Sequence, residues 1–219
     1  MKNIFLSASI PLPDRHPKYY DTADIVAIRE AVIALTSSIL TQHRIIWGGH
    51  PSITPLIYYV IERMLTKKLE REDWGLQLND DEKAFVQKQL KEKIQNHVVV
   101  YQSLFFKDIF PPENDKFQNV VLTENVGDVH SSIQLMRDRM FSENEFAAAV
   151  FIGGMDGIEV EYKMFKKYHP DALVLPIAST GAATKIVYDN LFPEELKNER
   201  FLKDYGYMSL FQKFLIDKI

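Results

Sequence analysis

The residues best placed to do chemistry stand in turns that end apolar runs. In Phe151-Ile152-Gly153-Gly154-Met155-Asp156-Gly157-Ile158-Glu159-Val160-Glu161, a strand-like run stops on glycine and resumes with helical spacing. A buried strand that ends this way presents bare backbone N–H groups at the positive end of a helix dipole, an arrangement that binds anions, phosphate above all. Gly153, Gly154, Met155, Asp156 and Gly157 are therefore candidate phosphate-binding positions. Glu161 lies four residues beyond Gly157, about one turn at ~3.6 residues per turn, so its carboxylate stands over the same turn. A carboxylate there can orient a sugar hydroxyl or a water, or stabilise a developing oxocarbenium ion. Glu159 falls on nearly the opposite face, and both glutamates also suit a helix N-terminus by charge alone.

Other turns share this form. Ile45-Ile46-Trp47 runs into Gly48-Gly49-His50-Pro51-Ser52, where the glycines allow a tight backbone and Ser52 can cap a helix or donate to a phosphate. His50 is the one histidine beside a glycine turn. Leu175-Pro176-Ile177-Ala178 leads into Ser179-Thr180-Gly181, whose hydroxyls suit either helix capping or a ligand. Ser7 and Ser9 leave the first apolar run at the corresponding end. Such turns on one sheet edge point to a nucleotide-shaped ligand lying across the strand ends. The six histidines show no metal-ligand spacing, and nothing resembles a Ser–His–Asp triad.

These residues need a scaffold, and the periodicity supplies one. Strand-length apolar runs occupy 4–9, 43–47, 97–102, 120–123, 146–152 and 172–177. Helical spacing marks 24–40, with Asp21 or Thr22 as cap, then 52–65, 80–94, 128–141, 158–168 and 182–191. An aromatic-rich loop spans 104–117. Strands alternating with helices imply an α/β fold, a three-layer Rossmann-like sandwich with a mainly parallel sheet and helices on both faces. The strands are apolar throughout rather than alternating, as expected when both faces are covered. No repeat or linker divides the chain, so 1–219 reads as a single domain with 194–219 a helical extension.

Composition narrows the function classes. The 219 residues carry 26 Lys plus Arg against 30 Asp plus Glu, a net charge of −4, which gives no electrostatic case for long nucleic acid as partner. With no cysteine, disulfides and thiolate metal sites are excluded. No apolar run approaches the ~20 residues of a membrane helix, so a cytoplasmic protein without membrane contact is expected, with no metal and no cofactor.

The order of the segments resembles the SLOG superfamily of Rossmann-like domains, which includes the LOG phosphoribohydrolases. The LOG proteins carry an early glycine-rich turn, an arginine-bearing helix and a Pro-Gly-Gly-x-Gly-Thr-x-x-Glu signature. Here Gly48-Gly49 stands at the early turn, and Gly153 to Glu161 resembles the signature with one extra residue between the glycine pair and Gly157. The resemblance implies a catalytic pair of Glu161 with an arginine, either Arg137 or Arg139 in Met136-Arg137-Asp138-Arg139-Met140; both flank the apolar stripe, and helical geometry leaves the choice open. Ile152 replaces the signature proline and Ile158 its threonine, which resembles outlying branches such as those related to the cytosolic domain of TRPM channels. The resemblance implies binding of a nucleotide or NAD-derived small molecule, with hydrolysis of its N-glycosidic bond, non-catalytic sensing and a protein-interaction role as alternatives, and a homo-oligomer, a dimer by analogy with LOG proteins.

Overall fold

The apolar runs become the strands β1 (Asn3–Ser9), β2 (Arg44–Gly48), β3 (Val98–Ser103), β4 (Val120–Thr123), β5 (Phe146–Gly153) and β6 (Leu173–Ile177) of one sheet. In this computed structural model, residues 1–14, 16–76 and 78–219 are described, with backbone alone for 72–76. The strand order is β4-β3-β2-β1-β5-β6 and every neighbouring pair is parallel, a Rossmann-like α/β arrangement. The strands are buried because helices cover both faces, so Ile4, Phe5, Ile45, Ile46, Val98, Val100, Ala149, Val150 and Phe151 are fully enclosed.

The connections are α1 (Pro17–Tyr20), α2 (Ile25–Ile39), α3 (Thr54–Leu76), α4 (Asp80–Gln95), α5 (Val129–Ser142), α6 (Asp156–Tyr168) and α7 (Ala182–Asn190), followed by α8 (Glu199–Lys203) and α9 (Tyr207–Phe214). Helix α2 packs with α3 and α9, while α5 packs with α6 and α6 with α7. Right-handed crossovers put these two groups on opposite faces, because the chain walks outward from β1 to β4 and then returns through α5 to β5. The carboxyl ends of β1 and β5 therefore flank the point where strand order reverses, the place where open α/β sheets form a crevice.

Several boundaries differ from the sequence expectation for physical reasons. Asp24, rather than Asp21 or Thr22, caps α2 by accepting from the Ala27 N–H at 2.9 Å. Helix α3 begins at Thr54 and extends beyond residue 65, since polar residues past Leu65 continue the helix without an apolar stripe. The aromatic stretch after β3 is not loose: it forms short 3-10 turns at Leu104–Ile109 and Pro112–Lys116, and Phe117 packs edge-on against Trp47 with centroids 5.4 Å apart. The residues after 194 wrap the edge of β6, where α8 touches β6 and α9 continues onto α2.

The layer beneath α5 and α6 is built on phenylalanine. Phe5 meets Phe141 edge-on at 4.9 Å and stacks on Phe165 at 5.8 Å, and His169 joins this cluster beside Phe146 at 5.1 Å. Burial lowers the His169 pKa, outweighing the Phe141 carbonyl and Glu145, which pull it up. The unfolded chain thus binds the proton more readily, so stability is full above the ordinary histidine range and falls as pH drops through it. His43, also lowered chiefly by burial, acts in the same direction. The melting temperature should fall between pH 7 and pH 5, and His169→Phe should flatten that dependence in thermal melts; an unchanged pH slope would remove His169 as its source.

Candidate functional site

The second glycine turn is shaped by close packing before it is shaped for a ligand. Gly153 and Gly154 both hold positive φ, at 57° and 83°. A β-carbon at Gly153 would lie 2.4 Å from Ile28 Cδ1, and one at Gly154 would lie 2.1 Å from Ile158 Cγ1. Their N–H groups are already used: Gly153 donates to Thr180 Oγ1 at 2.8 Å and Gly154 to the Ser9 carbonyl at 2.8 Å. Thr184 Oγ1 donates to the Gly153 carbonyl at 2.9 Å. The donors left at this turn are the N–H groups of Met155, Asp156 and Gly157, which make no hydrogen bond among the described residues. No side chain caps α6. The unpaired backbone donors that the sequence reading placed at the glycine pair therefore lie one to three residues further on, at the helix start.

Glu161 projects from the next turn of α6 and is held from two sides. Arg137 Nε donates to Glu161 Oε1 at 2.9 Å, and the Ser7 hydroxyl donates to Glu161 Oε2. The two charged side chains are 14% and 17% exposed, and Ser7 is buried, so the carboxylate is fixed yet reachable. Helix α5 supplies Arg137, α6 supplies Glu161 and β1 supplies Ser7, and the three converge at the β1 end of the switch point. A β-carbon at Gly157 would come within 2.8 Å of Arg137 Nη2, so the absent side chain at Gly157 is what lets the guanidinium lie over the helix start. Arg139 is elsewhere: it pairs with Glu143 at 2.7 Å and Glu124 at 3.8 Å on the exposed flank of α5. Of the two arginines, Arg137 is the one that meets Glu161.

The other candidate residues divide. Gly48 borders this group, since its position leaves 3.0 Å between an added β-carbon and Met136 Cε. At Gly49 the Gln102 side chain fills the space a β-carbon would take, and Gln102 Nε2 donates to the Gly49 carbonyl at 2.8 Å. His50 Nδ1 lies 2.8 Å from Ser52 Oγ, and Ser52 Oγ accepts from the Ile10 N–H at 3.0 Å, which ties the exits of β1 and β2 together. Ser179 is turned to the C-terminal stretch, with its hydroxyl on the Asp204 carbonyl at 3.0 Å and Tyr207 Oη at 3.1 Å. Thr180 is fully buried and bridges the Gly153 N–H to the Ile177 carbonyl. These two hydroxyls brace the sheet edge rather than face the Glu161 group.

One partner had no signal in the sequence. The Tyr19 hydroxyl, on the short helix α1, donates to Asp156 Oδ1 at the first residue of α6. Tyr19 is 3% exposed, and burial with the Asp156 carboxylate beside it raises its pKa well above the ordinary tyrosine value, so it stays a donor. No group of three or more His, Asp or Glu among the described residues is arranged to hold a metal. Nor is any described helix long and apolar enough to cross a membrane. Two concavities lie away from this edge, one of about 380 Å³ between Leu173, Phe192 and Phe214 and one of about 490 Å³ beside Met1 and Glu145. Their linings contain none of the convergent polar groups found at the switch point.

An all-parallel sheet in this order, with an ion-paired carboxylate at the point of reversal, defines a Rossmann-like α/β domain. The model of the SLOG cluster3 family matches residues 18–72 and 83–215, and the chain belongs to that family. Membership suggests a nucleotide-related ligand. No curated protein and no solved structure matches the chain.

Proposed function

We propose that the chain binds a nucleotide-related ligand across the carboxyl ends of β1 and β5, with the sugar against Glu161. The observation that carries this reading is the convergence of Ser7, Arg137 and Glu161 at the switch point of a SLOG domain. A carboxylate held by a guanidinium and a hydroxyl is pre-oriented to accept hydrogen bonds from vicinal sugar hydroxyls, at little further ordering cost. The N–H groups of Met155, Asp156 and Gly157 supply donors to an oxygen of the same ligand. Gly48 and Met136 border the group on the β2 side.

The test is calorimetric binding across a panel of nucleosides, nucleoside monophosphates, NAD and cyclic ADP-ribose. At least one member should bind saturably, and Glu161→Gln should weaken it at least tenfold while leaving the melting temperature within a few degrees. If no member bound, the reading would fail. A second reading, hydrolysis of the N-glycosidic bond, rests on the same carboxylate. Its fixed negative charge is suited to stabilise a cationic sugar as the base departs. Release of free base from the bound member distinguishes the two: base release that Glu161→Gln abolishes makes the site hydrolytic, and binding without it makes the protein a sensor.

A further inference from the structure

The groove of about 380 Å³ beside β6 lies at the amino-terminal end of that strand, away from the Glu161 group. One wall is the last turn of α6 and the turn into β6, which carry Lys166, Pro170, Asp171, Leu173 and Val174. The other is the stretch after α7, where the chain passes the outer edge of β6 and sets Phe192, Phe201 and Phe214 against the groove. Val174, Phe192 and Phe201 are buried, and Phe201 meets Phe214 edge-on at 5.0 Å, so the floor is packed and aromatic. Polar groups in it already have partners: the Tyr162 hydroxyl donates to the Leu191 carbonyl at 3.1 Å, and Asn198 Oδ1 accepts from the Arg200 N–H at 3.0 Å. Charge is confined to the rim and is mostly positive. Lys166 Nζ donates to the Pro170 carbonyl, which holds the ammonium at the lip with two of its three donors left over. Lys218 is exposed on the opposite wall. Neither lysine is ion-paired among the described residues, and Asp171 is the one acid in the lining. Lys213 adds a cation over the Phe214 ring at 5.6 Å, and Arg200, at 5.5 Å from the same ring, is paired with Asp204.

We propose that this groove binds an amphipathic monocarboxylate of the medium-chain fatty acid type, its chain against Phe192, Phe201 and Phe214 and its head between Lys166 and Lys218. A groove of this size with an aromatic floor and a cationic lip suits a small molecule that is apolar along its body and anionic at one end. A sugar or a nucleotide would bury hydroxyls against that floor without partners, at a cost that nothing there offsets. Leu196 stands 57% exposed at the lip, apolar area that a bound chain would cover. The chain supplies most of the affinity, since an exposed ammonium adds little to it, and the lysines decide the sign of the head that is accepted.

The experiment is calorimetry with decanoate and with decylammonium, which share one chain and differ in the sign of the head. Wild type should bind decanoate saturably, with Kd below about 1 mM, and at least fivefold more tightly than decylammonium. Added salt should shrink that ratio, because the lysines are screened. Lys218→Glu should bring it below twofold, and Leu196→Glu, a change at an exposed position, should weaken decanoate at least fivefold. Absence of saturable decanoate binding, equal binding of the two heads, or an unchanged ratio in Lys218→Glu overturns the proposal. So does indifference to Leu196→Glu, which would put the decanoate elsewhere. A lower mass in solution for Leu196→Glu than for wild type also overturns it, because the groove would then be a contact between copies of this chain. The wild-type comparison decides the matter even if a variant does not fold, and it is independent of nucleotide binding at Glu161.

Discussion

Gly181→Ala is expected to destabilise the protein by about 3–5 kcal/mol, a fall of roughly 10 °C in melting temperature for a chain of this length. Gly181 has φ 69° and ψ −151°, a region open essentially to glycine alone. A β-carbon there would lie 1.9 Å from the Thr22 carbonyl oxygen and 3.0 Å from its carbon. Both are backbone atoms and cannot swing aside as a side chain would. The clash falls on a junction that several elements share. Ala23 bridges Gly181, the Asp24 N–H donates to the Thr180 carbonyl at 3.2 Å, and the Ala182 N–H donates to the Thr22 carbonyl at 3.3 Å. Pushing residues 22–24 outward would loosen the Asp24 cap of α2 and, through α1, the Tyr19 contact to Asp156. Ala182 is itself held at φ 52°, so the turn has little slack. Gly127→Ala is the control: Gly127 also has positive φ, at 101°, but an added β-carbon meets nothing within 4 Å. Thermal melts of the two variants separate backbone strain from collision, and equal losses would show that the contact with Thr22 carries no weight.

The contrast between these two glycines marks where the sequence stops being legible. Each turn reads as a turn because glycine permits it, and the strand and helix runs around it follow from apolar spacing. That is enough for the parallel α/β fold, which needs only the period and order of the elements. Which glycine is crowded, and by what, depends on pieces far apart in the chain. Ile28 under Gly153, Thr22 over Gly181 and Arg137 over Gly157 are contacts across 125, 159 and 20 positions. The choice between Arg137 and Arg139 shows the same limit. Both lie beside the apolar stripe of α5, and only the placement of α6 and the buried Ser7 on β1 turns one toward Glu161. Tyr19 gave no sign because α1 is four residues long and opens on Pro17, too short for any periodicity. Hydroxyls are ambiguous for a related reason. Ser52, Ser179 and Thr180 stand at strand ends as ligand-binding residues would, but Ser52 and Thr180 each join one strand exit to another, and Ser179 ties the β6 exit to the C-terminal stretch.

Gly157→Ala should separate folding from function. Gly157 sits in the first turn of α6 without positive φ, where alanine is intrinsically the better helix former by up to about 1 kcal/mol. Its added β-carbon would crowd the far end of a long side chain, Arg137 Nη2, at 2.8 Å, and lie in ordinary contact with Glu161 Oε1 at 3.9 Å. A guanidinium at the end of a flexible stem can move, so the cost of relief falls on the Arg137–Glu161 pair rather than on the backbone. The melting temperature should stay within about 3 °C of wild type on that balance. Affinity for the nucleotide-related ligand that binds should nevertheless fall at least tenfold, because Glu161 loses the partner that aims it. Arg137→Ala should produce a comparable loss of affinity, with a larger loss of stability because the carboxylate of Glu161, 17% exposed, is left beside Ser7 alone. The double variant decides whether Gly157 acts through Arg137: if it does, Gly157→Ala adds nothing to Arg137→Ala, a coupling equal to the whole effect of the glycine change. Additive losses would mean that the alanine methyl obstructs the ligand directly, and the Met155 to Gly157 donors rather than the aimed carboxylate would then be the part of the site that the glycine protects.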